Sequence, residues 1–216
     1  LNMRAVAREY AKSIGKKMED LNLVVAHMGG GCTTGALSHG KMIDMFNGLD
    51  GDGAFAPTRS GAVPVGDLIR LCYSGKYATV DDMMKRAVGD AGIAAYLGTA
   101  DMREVNKMIE NGDENAKLVK EAFIYQHAKD IGALSVVMKG KVDAILLTGG
   151  IAYGKDITDA IASYTEWIAP VVVIPGEREM IALAQGALRV LNGEEEAKDH
   201  HDQSAQQVHG EGRQQP

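Results

Sequence analysis

Cysteine is nearly absent from these 216 residues: only Cys32 and Cys72 occur, in unrelated contexts and outside any CxxC pair. That argues against a disulfide framework or a cysteine zinc site, and both thiols are expected free in a reducing cytoplasm. Aromatics are scarce at 5%, with one tryptophan and three phenylalanines, so packing leans on aliphatics and on eleven adaptable methionines. No apolar run approaches the ~20 residues a helix needs to span a bilayer, and the opening residues carry no signal-peptide pattern. Basic charge is in deficit: 23 Lys and Arg against 29 Asp and Glu leave a net charge of −6. This argues against a nucleic-acid partner. An acidic chain that binds phosphate must do so locally, through loops, a few cations and a divalent metal. Two common phosphate signatures are also missing. No Gly-Lys-Ser/Thr completes a Walker A loop, and no G-x-G-x-x-G opens a helix.

Glycine, by contrast, is plentiful, and it gathers in residues 23–61. An apolar strand, 23–26, runs into His27-Met28-Gly29-Gly30-Gly31, a loop almost without side chains. A second strand, a tight turn at Ser38-His39-Gly40 and a third strand, 41–46, follow. A further glycine-rich loop then delivers one isolated arginine, Arg59. Without a Cβ, backbone N–H groups can converge on an anion at little steric cost. Such amides together with a cation are what a transferring phosphoryl group requires. A plain β-hairpin with a flexible rim is the competing reading of the same stretch.

The spacing predicts a helix over 3–17 with Val6, Tyr10 and Ile14 on its inner face. Helices are expected at 65–73, 81–88, 101–110 and 113–138, the last with Leu118, Ala122, Tyr125 and Ala128 as its buried stripe. The final third alternates strand, helix, strand, helix: 142–147, 156–167, 170–174 (read as buried) and 177–191. That pattern implies parallel strands with crossover helices. The fold class is therefore α/β, a mixed sheet flanked by helices. Ligands on such sheets bind at the carboxyl ends of strands. If the strands are parallel, the His27 loop and Thr148-Gly149-Gly150 share one rim. Beyond Gly193 the chain holds almost no apolar residues, so 194–216 is expected to be a disordered tail or a read-through or cloning remnant. Metal binding by His200, His201 and His209 in this tract is the weaker alternative.

Several collinear segments carry a resemblance: LNMRAVAREYAKSIGK (1–16), NLVVAHMGGG (22–31), PTRSG (57–61), PVGDLIRLCYSGKY (64–77), YLGTADMREV (96–105), LTGGIAYGK (147–155) and VIPGEREMIALAQGALRV (173–190). Together they resemble the acetate kinase family, on its butyrate kinase branch, within the actin and sugar-kinase superfamily. Gly30 stands where acetate kinases proper have asparagine, which favours that branch. The resemblance implies a ribonuclease-H-like, actin-like lobe over 1–193. It corresponds to the second of two lobes, so the chain, which opens on Leu1 inside a helix, is expected to begin partway through a longer protein. A family histidine would fall just upstream of Leu1.

The resemblance also implies roles. His27, Gly29, Gly30 and Gly31 match a phosphate loop, and Arg59 matches the family's catalytic arginine. Asp101 and Arg103, with Gly149, Gly150 and Ile151, match the nucleoside site. Glu177 and Glu179 both lie near a metal-associated glutamate. The implied reaction is phosphoryl transfer from ATP to a short-chain carboxylate, with Mg2+, in a cytoplasmic homo-oligomer that has no membrane or nucleic-acid partner. Each residue keeps a plainer reading: Arg59 as a surface cation, His27 as a structural histidine, Asp101 as a helix-dipole partner, Gly149-Gly150 as a tight turn. His127 reads as structural and Lys155 as a solvated helix-start lysine. Acetate, propionate and branched acids remain alternative substrates. A non-catalytic nucleotide-gated module and a ligand-free structural domain remain alternative functions.

Overall fold

The computed structural model describes residues 1–197. The expected tail lies mostly outside the described residues, which end before its three histidines. The described residues divide into a compact unit of Asn2–Arg178 and a second unit made of Leu1 and residues 179–197.

The first unit is built on a five-stranded mixed sheet of order β3-β2-β1-β4-β5. The strands are β1 (Asn22–Met28), β2 (Cys32–Ser38), β3 (Lys41–Met45), β4 (Ala144–Gly149) and β5 (Val171–Pro175). β1 pairs antiparallel with β2 and parallel with β4, and β4 pairs parallel with β5. The β2–β3 turn uses positive φ at His39 and Gly40, as a two-residue hairpin requires.

Eight helices accompany the sheet among the described residues: α1 (Asn2–Ser13), α2 (Val65–Cys72), α3 (Val80–Val88), α4 (Gly92–Leu97), α5 (Met102–Glu110), α6 (Glu114–Val137), α7 (Lys155–Thr165) and α8 (Glu179–Leu191). α8 alone belongs to the second unit. Side chains of β1 alternate between two cores. Val24, Ala26 and Met28 join Phe123, Ile131 and Ile157 from α6 and α7, whereas Leu23 and Val25 join Val6 and Ala7 of α1. β4 splits likewise, Ile145 and Leu147 to one side and Ala144 and Leu146 to the other. Burial on both faces explains why these strands read as continuous apolar runs. No described helix is long and apolar enough to cross a membrane.

Several expectations need correction. α1 stops at Ser13 rather than reaching residue 17, because Gly15 takes φ +68 and turns the chain; Ile14 is left exposed. The buried stripe of α6 is Ala116, Val119, Phe123, His127, Ala128, Ile131 and Leu134, while Leu118 and Tyr125 face solvent. Apolar residues surround that helix, so periodicity alone could not choose the inner face. β5 is half-exposed instead of buried, because it forms an edge of the sheet. α7 ends at Thr165, leaving Trp167 exposed. α4, not anticipated, is a short helix capped by Gly98 at φ +74.

Candidate active site

Because β1, β4 and β5 run parallel, their carboxyl ends meet along one rim. His27 pairs with Thr148, and Thr148 with Ile174. Close approach there demands glycine. A Cβ on Gly149, whose φ is +93, would lie 2.2 Å from the Met28 carbonyl oxygen. Gly149 and Gly176 exchange two backbone hydrogen bonds, of 3.2 and 3.0 Å. That bridge sets Glu177 at the rim, its Oε1 3.5 Å from where a Gly29 Cβ would stand. The two glycine loops read from sequence therefore do share a rim.

The loop 29–31 divides its labour. Gly29 is buried, and its N–H closes the turn by donating to the Gly31 carbonyl at 3.1 Å. Gly30 is exposed and Gly31 half-exposed, and neither N–H has a partner among the described residues. These two amides remain for a ligand. Beneath them Cys32 is buried, its thiol pushed up to about 12 by desolvation, so it stays protonated and is no nucleophile. Cys72 is exposed, and both cysteines are free.

Arg59 lies directly against this loop. A Cβ on Gly31 would come 2.3 Å from its Nη1 and 2.4 Å from its Cζ. Nη1 donates to the Gly48 carbonyl at 3.2 Å, and Thr58 Oγ1 donates to the Gly30 carbonyl at 3.1 Å. No carboxylate pairs with Arg59 among the described residues. Its segment is clamped on three sides. Ala54 N–H donates to Asp130 Oδ2 at 2.7 Å, and Phe55 N–H to Gln126 Oε1 at 3.3 Å, both on α6. Ser60 N–H donates to the Ala87 carbonyl at 2.9 Å, and Ala62 N–H to that of Gly53 at 2.8 Å. Burial raises the Asp130 carboxyl to about 6 despite the Ala54 hydrogen bond. The cation is thus aimed at the glycine loop by a braced segment, unlike a loose surface arginine.

His27 closes one side. Its Nδ1 lies 2.8 Å from the Asn2 amide nitrogen, and its Nε2 lies 3.5 Å from the Gly29 Cβ position. On the other side, Gly150 and Ile151 enter a tight turn, Gly150–Tyr153, that leads into α7. Asp101 caps α5 by accepting from Arg103 N–H at 2.9 Å. Its carboxylate also pairs with the Arg103 guanidinium at 2.6 Å, which holds the carboxyl down at about 2. No hydrogen bond among the described residues joins Asp101 or Arg103 to the glycine loop 29–31. Lys120 of α6 instead ties the two neighbouring helices together through Asn106 of α5 and Asp156 of α7. Glu179 opens α8 and belongs to the other unit. His127 is buried and structural, with Nδ1 2.8 Å from the Phe123 carbonyl. Lys155 is exposed and paired with Asp159.

No three His, Cys, Asp or Glu side chains cluster as a metal site among the described residues. A nucleotide-borne Mg2+ does not need one, since it is held by one or two carboxylates plus phosphates and water. Glu177 beside Gly29 fits that requirement, and the free amides with Arg59 fit a phosphate. Sequence reasoning missed Asn2, Gly48, Gln126 and Asp130. All four act through contacts distant in the chain, and no local pattern marks them.

Residues 2–164 match the acetokinase family. The chain is 54% identical over 200 residues to butyrate kinase 2 of Clostridium acetobutylicum, covering 93% of this chain and 56% of that protein. It therefore spans about half the length of the curated relatives it matches. Among solved structures, the acetate kinase of Porphyromonas gingivalis superposes with a TM-score of 0.80 at 22% identity, over 88% of this chain and 54% of that one. A propionate kinase from Francisella tularensis superposes with a TM-score of 0.72 at 26% identity, over 83% and 52%. The mixed sheet is thus of the acetate-kinase type.

Proposed function

Since the chain belongs to the acetokinase family, we propose that it forms one wall of the active site of an ATP-dependent carboxylate kinase, with butyrate as the acyl substrate. The observation that carries this reading is the Arg59 guanidinium lying against the phosphate loop at Gly31. The choice of butyrate rests on the 54% identity to a butyrate kinase and on glycine at position 30.

A carboxylate is already ionised at neutral pH, so no general base is needed. One carboxylate oxygen attacks the γ-phosphorus in line. A new P–O bond forms as the bond to the β–γ bridging oxygen breaks, and ADP leaves with that electron pair. Catalysis is positioning plus charge neutralisation. Gly30 and Gly31 N–H groups donate to phosphate oxygens, Arg59 holds the equatorial oxygens of the transferring group, and His27 lines the same loop. Gly149, Gly150 and Ile151 form the nucleoside side, with Asp101 and Arg103 at its margin. When bound, Mg2+ would draw charge from the phosphates, with Glu177 as its carboxylate; Glu179 is the second candidate.

The acyl pocket needs a second wall, supplied by the length that relatives have beyond this match. We place the protein in the cytoplasm and as a homo-oligomer. α2 and α3 bury no residue, and Val65 and Ile69 of α2, Tyr73 just after it and Val80 of α3 are exposed, apolar surface that self-association would cover. Sedimentation at micromolar concentration tests this, and a strictly monomeric species contradicts it.

The test of function is acyl-hydroxamate formation by the complete two-lobed protein across acetate, propionate, butyrate and isobutyrate. Butyrate should give the highest kcat/KM. Arg59→Ala should lower turnover at least ~100-fold, as loss of a transition-state donor does. Near-normal turnover would defeat the assignment.

A further inference from the structure

We propose that Lys120 is a positioning residue for the nucleoside side of the site: its ammonium ties α5 to α7 and so fixes the gap between the Asp101–Arg103 edge and the Gly150–Ile151 edge. This rests on the phosphoryl-transfer reading above, which does not itself call on any residue of α6 at the nucleoside.

Lys120 lies on α6, against which both α5 and α7 pack. Its side chain is only 16% exposed. Nζ donates to Asn106 Oδ1 of α5 at 2.7 Å and to Asp156 Oδ2 of α7. Asn106 Nδ2 closes the triangle by donating to the same Asp156 oxygen at 3.3 Å. The amide orientation follows from the chemistry, since only its oxygen can accept from an ammonium. Partial burial pushes the Asp156 carboxyl up, but the hydrogen bond and charge of Lys120 outweigh it and hold the group below its usual range, so the pair is ionised.

Both acceptors sit next to the residues read as nucleoside contacts. Asp101 caps α5 and Arg103 is in its first turn. Asn106 lies one turn further along, on the Arg103 side of the helix. Asp156 is in the first turn of α7, which follows the Gly150–Tyr153 turn through Gly154 alone. Gly154 N–H donates to the Ile151 carbonyl at 2.9 Å, and the Gly154 carbonyl accepts from the N–H groups of Ile157 and Thr158, both at 3.1 Å. Turn and helix are thus one piece, and a shift of either acceptor carries its edge with it.

Stability alone does not call for a lysine here. Apolar side chains of similar volume hold helices together as well as a desolvated ion pair does. Apolar contacts are non-directional, whereas one ammonium with two fixed acceptors sets a single spacing of α5 and α7. The ion pairs Arg70–Asp67 and Lys155–Asp159, by contrast, each lie at the surface within one helix and join no two elements. The sequence hides the triangle, because its three members are far apart in the chain and a lysine on a long helix reads as a solvated position.

The test compares MgADP with magnesium tripolyphosphate, which has phosphates but no nucleoside, by calorimetry on the full-length protein. Lys120→Met should weaken MgADP at least ~10-fold, the loss that follows when a supporting hydrogen bond behind a ligand-holding residue is removed, and leave tripolyphosphate within ~2-fold. In turnover, the KM for ATP should rise by a similar factor while kcat and the KM for butyrate stay within ~3-fold, the pattern of lost uniform binding. Asp156→Ala removes a side chain that is 43% exposed. It should reproduce the loss, and it carries the test should Lys120→Met fail to fold. The double variant should bind MgADP no more weakly than either single one. Asp156→Asn, which keeps an acceptor, should retain most of the affinity. An MgADP affinity within ~2-fold of wild type in both Lys120→Met and Asp156→Ala overturns this inference alone. Equal weakening of both ligands also overturns it, since that marks general damage. If wild type binds neither ligand, the phosphoryl-transfer reading falls and this inference falls with it.

Discussion

Replacing Gly31 with alanine puts a methyl carbon where the Arg59 guanidinium now lies. The new Cβ would sit 2.3 Å from Nη1, 2.4 Å from Cζ and 2.9 Å from Nε. Ordinary carbon contacts begin near ~3.5 Å, so the guanidinium must retreat by about 1 Å or more. Gly31 has no positive φ, so alanine adds no backbone strain, and the obstructing group is the movable end of a side chain. The protein should therefore fold with a melting temperature close to wild type. Catalysis should not survive as well. A misplacement of about 1 Å costs on the order of a hundredfold in rate, and full loss of a transition-state donor costs ~3–4 kcal/mol. If the protein is the carboxylate kinase proposed above, hydroxamate trapping of the acyl phosphate formed by the full-length protein should show kcat reduced by ~100-fold. A double-mutant cycle isolates the cause. Once Arg59→Ala has removed the cation, Gly31→Ala should cost less than ~3-fold more. Additive losses, or a single variant within ~3-fold of wild type, would refute the placement of Arg59 over the loop.

One buried group and one half-buried group should give the stability of this chain opposite pH trends. His127 is held down at about 4 by burial. Its neutral ring contributes stability that is present above its unfolded value near 6.5 and lost as pH falls through about 4, a change on the order of 3 kcal/mol. Urea melts from pH 7 to pH 4 should show the loss, and His127→Leu should flatten it; an unchanged slope contradicts the assignment. Asp130 is raised to about 6 by burial, so its contribution is present below its unfolded value near 3.8 and lost as pH rises through about 6. Asp130→Asn keeps an acceptor for Ala54 N–H and removes the half-buried charge. The variant should be more stable than wild type at pH 7.5 and lose that advantage by pH 4; a constant difference across that range would contradict the account.

The legible parts of this fold share a cause. Strands β1 and β4 are buried on both faces, so their apolar runs announced themselves, and parallel pairing followed from the strand–helix alternation. Positive-φ glycines such as Gly149 stood out because no other residue can occupy such a close crossing. Arg59 stands out as a lone cation in a glycine-rich loop, and the family resemblance implies a role for it. What stayed hidden depends on tertiary context. The inner face of α6 could not be chosen because apolar residues ring the helix, and the exposure of β5 follows from its place at the sheet edge. Asp130 and Gln126 look like ordinary solvated positions on a long helix until the Ala54–Phe55 backbone folds onto them. Asn2 likewise resembles a helix-start residue until His27 arrives beside it. Nothing in the sequence separates Gly29 from its two neighbours, and only the backbone geometry shows its N–H committed to the turn.

The central claim is that two glycine amides and one braced arginine neutralise the phosphoryl group in transit. A crystal structure of the complete protein with MgADP and a planar metal-fluoride mimic of that group tests it most directly. The account predicts the Gly30 and Gly31 nitrogens and an Arg59 guanidinium nitrogen about 3 Å from the mimic's equatorial ligands. A mimic bound with Arg59 turned away and the glycine amides facing solvent would contradict it.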